Sequence, residues 1–436
     1  MRFDSPIQVF EYEFLAIDKR GFTHGHWEAL GKYNEDHGGN FFKLTHNGVK
    51  FQQYVGVIQV GNLTIEILPK IERNKGADGT KAEWQKVLID MLRECNWMKV
   101  YAHEKASVRF KYNSILEAYL ELFVTECEEL VRQGLIKKYR AQSGNCHSLK
   151  GKLLFSKNIK ENLVHQERFY TRHHVYDRNN IFNQILHKAL NIIPSLSQSP
   201  LLRDRVFSIL LAFPELEDLL VRSETFENLV FDRKTAPYRE AMEIAAMLLL
   251  NYRPDISKGQ NNVLAILFDM NDLWEEYIFR QIKRHGFEGW NINDQVRKDF
   301  WKRTNPTYQN KTIRPDIIIS ANGRRIIIDT KWKLPDDDVP SDNDLKQMYV
   351  YNQYWEGISI LIYPGAHSSK NPDMVEGEFY PLPTLKRDIT SGNDGEMIKK
   401  TEKCGLMKIS VLDSNKMLDQ KIGEKINEYL RYNILI

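Results

Sequence analysis

Cysteine is scarce in this 436-residue sequence, and its placement argues against two common kinds of site. Cys95, Cys127, Cys146 and Cys404 are far apart, and no Cys-x-x-Cys pair occurs. Such spacing fits neither a structural zinc site nor a disulfide framework. Because reduced thiols are typical of the cytoplasm and no apolar signal segment follows Asp4, we expect a cytoplasmic protein.

Long hydrophobic runs, a phosphate-binding loop and a large net charge are absent as well. The longest apolar run, Ile244–Leu250, is too short to cross a bilayer, so we expect no membrane association. No Gly-x-x-x-x-Gly-Lys-Ser/Thr motif occurs, and we therefore expect no nucleotide hydrolysis by this chain. The net charge of +3 is nearly balanced, which limits any nucleic-acid contact to a local patch.

Three parts of the sequence differ in their periodicity and together predict an α+β multidomain protein. Residues 1–81 contain short apolar segments separated by tight turns, which is typical of a small β-rich domain. Residues 82–260 have mainly helical spacing. Residues 261–436 alternate between strand and helix patterns, which indicates an α/β core with a C-terminal extension.

One basic segment stands out in the middle part. Between Ile136 and Lys160 there are seven lysine or arginine residues and no acidic residue. Such a segment is either a surface that contacts phosphates or a solvated loop. Both interpretations stay open at the level of the sequence.

The strongest local signal lies between Ile313 and Lys331. Two isoleucine-rich segments, Asp316–Ser320 and Arg325–Lys331, flank Asn322-Gly323. Asn-Gly between β-branched segments favours a tight hairpin, because both turn positions need positive φ angles. We therefore predict two paired and largely buried strands.

Charged residues stand where these strands end, although an unpaired ion away from water is costly. Residues two apart share a strand face, so Asp329 and Lys331 point the same way, and a matching register brings Asp316 alongside. Converging carboxylates repel unless a cation lies between them, and oxygen ligands suit Mg²⁺ or Mn²⁺. We predict that Asp316, Asp329 and the Thr330 carbonyl hold the metal. Lys331 is then placed to steer a water and to offset charge on a phosphorus centre.

A simpler alternative is a surface hairpin with a salt bridge between Asp329 and Lys331. The Asp-x-Lys spacing is weak by itself, since it also occurs at Asp232, Asp344 and Asp419. None of those three ends an isoleucine-rich strand that pairs with a Pro-Asp strand. The structural context therefore favours the metal site.

Three more residues are candidates for supporting this site. Gln347 and Tyr351 lie four apart, on one face of a helix predicted from about Asp342 to Trp355. That face can cover the site, with Gln347 positioning a water or a phosphate oxygen and Tyr351 bracing the lysine. Glu275 is a candidate third carboxylate, reaching the metal directly or through water. An incidental glutamine, and a capping box formed by Asp272 and Glu275, are the alternatives.

The pair Pro315-Asp316 followed by Asp329-Thr330-Lys331 resembles the motif of the PD-(D/E)xK nucleases. Roughly residues 50–365 resemble the McrC family, the nuclease subunit of the McrBC modification-dependent (5-methylcytosine) restriction system. The stretches Ile67-Leu68-Pro69-Lys70 and Asp269-Met270-Asn271 are what point to McrC in particular.

This resemblance implies a restriction-endonuclease-like core and a Mg²⁺-dependent endonuclease that cuts double-stranded DNA, typically modified, in anti-phage defence. It also implies that the N-terminal domain docks on a ring of McrB, an AAA+ GTPase that binds the GTP and recognises the modified base. The tail after about residue 366 is longer than the family pattern. Two other functions stay open: a stand-alone PD-(D/E)xK nuclease of DNA repair or resolution, and a non-catalytic activator of the motor.

Overall fold

The computed structural model describes residues 6–39, 41–71, 80–98, 114–253, 262–302, 310–333, 335, 339–365, 372–380 and 402–435. Helices and strands are mixed along this part of the chain, which confirms the prediction of an α+β protein. Part of the tail that follows residue 366, namely 366–371 and 381–401, lies outside the described residues. None of the described helices combines the length and the hydrophobicity needed to cross a bilayer.

The first part of the chain builds two sheets around one short helix. Its elements are β1 (Ile7–Phe10), β2 (Phe14–Ala16), α1 (His24–Asp36), β3 (Phe42–Thr45), β4 (Gly48–Phe51), β5 (Tyr54–Val60) and β6 (Leu63–Leu68). Strands β2, β4 and β3 form a small antiparallel sheet, whereas β1 runs parallel to β6 in a larger one. Short strands joined by tight turns agree with the β-rich pattern of this region.

The middle part is mainly helical but also contains a three-stranded sheet. Its elements are α2 (Lys81–Glu94), α3 (Ile115–Gln133), β7 (Lys138–Cys146), β8 (Lys152–Leu153), α4 (Phe155–Asn162), β9 (Phe169–Asp177), α5 (Ile181–Leu196), α6 (Pro200–Leu210), α7 (Ser223–Glu227), a 3₁₀ turn (Ala236–Tyr238), α8 (Arg239–Leu250) and β10 (Tyr252–Arg253). Strands β7 and β9 pair along their full length as an antiparallel ribbon. The basic segment is therefore largely strand and helix and not a loop.

The last part supplies a six-stranded mixed sheet. Its elements are β11 (Val263–Asp269), α9 (Met270–Arg284), β12 (Asn291–Asp294), β13 (Lys298–Trp301), β14 (Lys311–Ile313), β15 (Ile317–Ala321), β16 (Arg324–Thr330), α10 (Asp342–Trp355), β17 (Ile358–Gly365), β18 (Asp373–Glu378), β19 (Lys403–Ser410), α11 (Ile422–Leu430) and a terminal helical turn (Arg431–Leu435). The strand order is β12-β15-β16-β17-β19-β18. Helix α10 makes the crossover between the parallel strands β16 and β17.

Strand β11 links the two large sheets. It pairs antiparallel with β5, so that Val263 lies opposite Val60 and Asp269 opposite Tyr54, and the chain then enters α9 directly. This strand belongs to the range predicted as the third domain but completes the sheet of the first. The domain bounds stay a prediction, since one continuous apolar core includes residues from all three ranges.

The six-stranded sheet is covered by helices on both faces. Ile326 and Ile328 of β16 pack into the core that contains α9 and α11. Ile327 points the other way and packs against Met348 and Tyr351 of α10. Alternation along a strand sends neighbouring residues to opposite faces, so each residue at the end of β16 has a fixed side.

Candidate functional site

The site begins with the hairpin of β15 and β16, whose prediction is confirmed. Ile317 lies opposite Ile328, and the pairing continues to the turn. Asn322 and Gly323 have φ angles of 52° and 76°, as a two-residue hairpin turn requires. The strands end one residue away from the predicted bounds, so Asp316 just precedes β15 and Lys331 just follows β16.

The structure brings Asp316 to the end of β16 by hydrogen bonds to Thr330. Its Oδ2 atom accepts from the main-chain N–H of Thr330 at 2.6 Å and from the Thr330 hydroxyl at 3.0 Å. Burial raises the pKa of Asp316 well above its ordinary value, and the negative charges of Asp329 and Glu275 raise it further. Three of the predicted acidic residues therefore influence one another.

Asp329 is the most deeply buried of these carboxylates, with 1% of its surface exposed. Its Oδ1 atom accepts a hydrogen bond from the Gln347 amide at 3.1 Å, and its Oδ2 atom forms an ion pair with Lys331. Burial raises the pKa of Asp329, although the Lys331 ammonium opposes that effect. The salt bridge named as the simpler alternative does exist, but it is nearly buried and not on an open surface.

Lys331 has its ammonium group among several acceptors. Besides the ion pair with Asp329, its Nζ atom donates to the side-chain oxygen Oε1 of Gln347 at 3.3 Å. It also lies 3.9 Å from the Asp344 carboxylate. Burial alone lowers the pKa of Lys331, but the surrounding carboxylates outweigh burial and the pKa is raised. The ammonium therefore keeps its proton at neutral pH.

Gln347 connects the hairpin to α10. It contacts Asp329 and Lys331 as described, and its amide also donates to the Tyr351 hydroxyl at 2.7 Å. The Tyr351 hydroxyl donates to the Arg314 carbonyl at 2.7 Å. The prediction that Tyr351 braces the lysine is wrong in that detail, since it braces Gln347 and the segment before Asp316.

Glu275 lies on α9, and the capping-box alternative for it is wrong. Helix α9 begins at Met270 with Asp269 as its cap, so Asp272 already lies inside the first turn. Glu275 accepts a hydrogen bond from the Gln295 amide at 3.1 Å. Burial raises its pKa, and the charges of Asp272 and Asp329 act in the same direction. Glu275 is thus close enough to influence the pair but hydrogen-bonds elsewhere.

Asp344 also lies at the candidate site, although its Asp-x-Lys spacing alone did not indicate it. It lies three residues before Gln347 on α10 and is 6% exposed. Helical spacing to Gln347 was the signal that could have found it. The Lys333 ammonium lies 2.8 Å from its carboxylate. Burial alone raises the pKa of Asp344, but contacts such as this one keep that pKa low.

The donor set suits a hard divalent cation. Asp316 and Asp329 supply carboxylate oxygens whose ionisation is disfavoured by burial and, for Asp316, by the charge of Asp329. A cation relieves that cost, and oxygen ligands without nitrogen or sulfur favour Mg²⁺ or Mn²⁺. Among the described residues, no group of three or more His, Cys, Asp or Glu side chains is arranged to hold a metal. Any metal here therefore needs main-chain oxygen or water besides the two aspartates.

Comparison with known proteins shows the family to which this chain belongs. Residues 49–364 match the model of the family described as "McrBC 5-methylcytosine restriction system component". The chain belongs to that family. The resemblance to McrC noted from the sequence is thereby confirmed. Comparison with curated protein sequences gave no match.

Two solved structures from Thermococcus gammatolerans are similar to this chain. One is described as a refined half-complex from a tetradecameric assembly of McrB AAA+ hexamers with bound McrC, with a TM-score of 0.68 at 19% identity. That match covers 98% of this chain and 100% of the other, so the fold is shared over nearly the whole length. The second is the McrBC complex, with a TM-score of 0.48 at 22% identity over 65% of this chain and 88% of the other.

Proposed function

We propose that this chain is the DNA endonuclease subunit of a McrBC-like restriction system and hydrolyses phosphodiester bonds with Mg²⁺. The observation that carries the proposal is the cluster at the end of β16, where Asp316, Asp329 and Lys331 lie together. The motif predicted from the sequence depends on that proximity. Membership of a restriction-system family makes DNA the substrate to test first.

The six-stranded sheet supports a PD-(D/E)xK nuclease core. Strands β15 and β16 form the antiparallel hairpin, β17 follows in parallel after the crossover helix α10, and α9 covers the opposite face. This arrangement delivers the two acidic residues and the lysine to one end of one strand. Residues from four elements converge there, which is typical of a site built on a rigid sheet.

Asp316, Asp329 and the Thr330 carbonyl are the residues that would hold the metal, with Mn²⁺ as a possible substitute for Mg²⁺. When bound, such an ion lowers the pKa of a water and offsets charge on a phosphate oxygen. Hydrogen bonds from Thr330 fix the Asp316 carboxylate, and Gln347 fixes that of Asp329. The protein therefore sets the positions of both carboxylates in advance.

Lys331 acts as a cation in this proposal and not as a base. Its raised pKa keeps the proton on Nζ at neutral pH, so the ammonium can orient the attacking water and stabilise charge that grows on the phosphate. The water oxygen forms a bond to phosphorus while the bond from phosphorus to the leaving sugar oxygen breaks; the water gives up a proton to solvent, and the leaving oxygen takes one from solvent. The products are a phosphate monoester and a free hydroxyl, with no change in oxidation state.

Gln347 and Glu275 have supporting roles. Gln347 contacts Asp329 and Lys331 at once, so it aligns the carboxylate with the ammonium. Glu275 adds negative charge near Asp316. We propose that Glu275 acts through water, because its hydrogen bond goes to Gln295.

The partner in this proposal is a McrB-like AAA+ ring that binds the GTP. Support comes from the shared fold with a chain from an assembly described as McrB AAA+ hexamers with bound McrC. The resemblance assigns the docking to the N-terminal domain. The β7–β9 ribbon and α4 offer a second contact, because Tyr139, Phe155 and Ile159 are exposed there although they are large and apolar.

The basic residues of the ribbon are only partly available for phosphate contacts. Arg140 forms an ion pair with Asp177 at 2.9 Å, and Lys138 and Lys157 lie over aromatic rings. A partner protein therefore suits this surface better than a DNA backbone does. Exchanging Phe155 and Ile159 for serine should weaken binding to the ring and leave the hairpin site unchanged.

Reconstitution tests the proposal. The chain, a McrB-like GTPase, GTP and Mg²⁺ are combined with methylated and unmethylated DNA, and cleavage and GTP hydrolysis are both measured. We expect cleavage of methylated DNA that needs both proteins. Cleavage by the chain alone would favour the stand-alone nuclease, and stimulated GTP hydrolysis without cleavage would favour the non-catalytic activator.

A further inference from the structure

Asp344 is a buried carboxylate beside the proposed site that the proposed metal set does not use. The Ser341 hydroxyl donates to its Oδ2 atom at 2.7 Å, and the Lys333 ammonium lies 2.8 Å from the same oxygen. The Oδ1 atom faces Lys331 at 3.9 Å. One oxygen is thus occupied by Ser341 and Lys333, while the other is turned toward the proposed catalytic lysine.

Lys331 is now held away from Asp344 by Asp329. An ammonium has three N–H donors, and Lys331 directs them at Asp329 and Gln347. The Oδ1 atom of Asp329 accepts from Gln347, so the Oδ2 atom that Lys331 contacts is the oxygen left for a metal ion. Because two cations at one oxygen repel each other, a metal at that oxygen would weaken the hold of Asp329 on the ammonium.

Asp344 is well placed to receive the displaced group. It is the second carboxylate within 4 Å of Lys331 among the described ion pairs, and it lies on the same helix as Gln347. The shift required is about an ångström, from 3.9 Å to the usual length of a charge-assisted hydrogen bond. Lys333 now balances Asp344 and has a half-exposed side chain, so it can turn into water.

We propose that Asp344 is a positioning residue that takes over the Lys331 ammonium when a divalent cation binds Asp329. Metal binding and placement of the lysine are then one coupled exchange, and Lys331 moves to its working position only in the metal-bound site. This inference rests on the proposed metal site and deepens it. It assigns to Asp344 a role in metal affinity without any contact to the metal.

Metal binding measured without DNA cleavage tests the exchange. Mn²⁺ affinity is determined by electron paramagnetic resonance for the full chain, for Asp344→Asn, for Lys331→Ala and for the double variant. We expect Asp344→Asn to weaken Mn²⁺ binding roughly tenfold, a normal coupling between contacting charges. In the Lys331→Ala background the same change should have less than about a twofold effect, because no ammonium has to move.

Asp342→Asn is the matched control. It removes the same charge from the same helical turn, but the Asp342 side chain is 90% exposed and its ion pair among the described residues is with Lys346. We expect Asp342→Asn to leave Mn²⁺ affinity within about twofold. Equal effects of the two substitutions, or an effect of Asp344→Asn that persists without Lys331, would overturn the exchange.

Two outcomes separate this inference from the proposed function. If the wild-type chain binds Mn²⁺ and Asp344→Asn binds it with the same affinity, only the exchange is contradicted. Absence of Mn²⁺ binding by the wild-type chain contradicts the metal site and the exchange with it. If Asp344→Asn does not fold, a crystal structure of the wild-type chain with Mn²⁺ decides: Lys331 should lie within hydrogen-bond distance of Asp344, and an ammonium still on Asp329 would refute the exchange.

Discussion

Buried carboxyl groups occur in two regions of this molecule, and their neighbours differ. Glu66 of β6 is fully buried and accepts hydrogen bonds from the Ile115 main chain at 2.7 Å and from the amides of Gln8 and Gln85 at 3.1 and 2.7 Å. Burial raises the pKa of Glu66, and these donors offset only part of that rise. Glu66 ties the first sheet to the start of helix α3 and to α2.

The carboxylates at the end of β16 have a different environment. Asp329 is also buried and Asp316 is partly buried, but each pKa is affected by other charges: Asp329 and Glu275 act on Asp316, and Lys331 acts on Asp329. Burial alone therefore does not distinguish structure from function here. The distinguishing feature is like charges brought together without enough neutral donors, an arrangement that costs stability and that a cation reverses.

The largest expected effect is a loss of DNA cleavage when a carboxylate at the end of β16 is replaced. Replacing Asp329 with Asn removes a proposed metal ligand and the present ion-pair partner of Lys331. We expect cleavage by the reconstituted complex to fall roughly a thousandfold or more. The protein should still fold, because Asn can accept the Gln347 hydrogen bond and Asp344 stays near Lys331. Cleavage assays and thermal unfolding of the same preparations give the answer, and near-normal cleavage would remove Asp329 from the site.

Glu66→Ala should behave in the opposite way. It leaves one main-chain N–H and two amides without their acceptor, and each unsatisfied buried donor costs about 1–3 kcal/mol. We expect the unfolding temperature to fall by roughly 5 °C or more and cleavage per folded molecule to stay unchanged. If instead cleavage falls in a fully folded Glu66→Ala protein, the contrast between the regions is wrong.

Glu11 sharpens the comparison through pH. It is buried beneath Trp332, whose indole N–H donates to it at 2.7 Å, and burial raises its pKa from 4.5 to about 8. The folded protein therefore favours the neutral acid. The stability that this preference contributes is present below about pH 4.5 and is lost as the pH rises to about 8.

Glu11→Gln should remove that pH dependence, because glutamine has no acid to ionise and can still accept from Trp332. We expect the wild-type chain to lose on the order of 3 kcal/mol more than the variant between pH 5 and 8. Thermal unfolding across this range measures the difference. Parallel curves for the two proteins would mean that Glu11 is ionised in the folded state at neutral pH.

The smallest expected effect is stabilisation by metal alone. Mg²⁺ at about ten times its dissociation constant should add roughly 1.4 kcal/mol and raise the unfolding temperature by about 1.5 °C. Asp316→Asn should abolish that rise, whereas Glu11→Gln should keep it. A rise that is equal in all three proteins would indicate a different metal site.

Sequence patterns predicted the local part of the site. The Asn322-Gly323 turn and the alternation of β16 are encoded by neighbouring residues, and Gln347 follows from helical spacing. The contacts that join distant segments were not predictable in this way. Glu11 reaches Trp332 across most of the chain, and no local pattern indicates that partner.

The same limit explains two differences in the fold. The sequence pattern of strand β11 indicates the start of a new domain. In the structure, however, β11 pairs with β5, which lies about two hundred residues earlier. The ribbon of β7 and β9 was hidden because β7 has no buried residue and β9 has one, so neither sequence shows the apolar alternation that marks a half-buried strand. Pairing between distant segments, in addition to weak local patterns, therefore limited how much of the fold could be predicted from the sequence.

Anomalous scattering from crystals of the full chain with Mn²⁺ tests the central claim most directly. The account predicts a peak between the carboxylates of Asp316 and Asp329, within about 2.3 Å of an oxygen of each, and no such peak in Asp316→Asn. A Mn²⁺ ion bound elsewhere, with both aspartates free of metal, would contradict it.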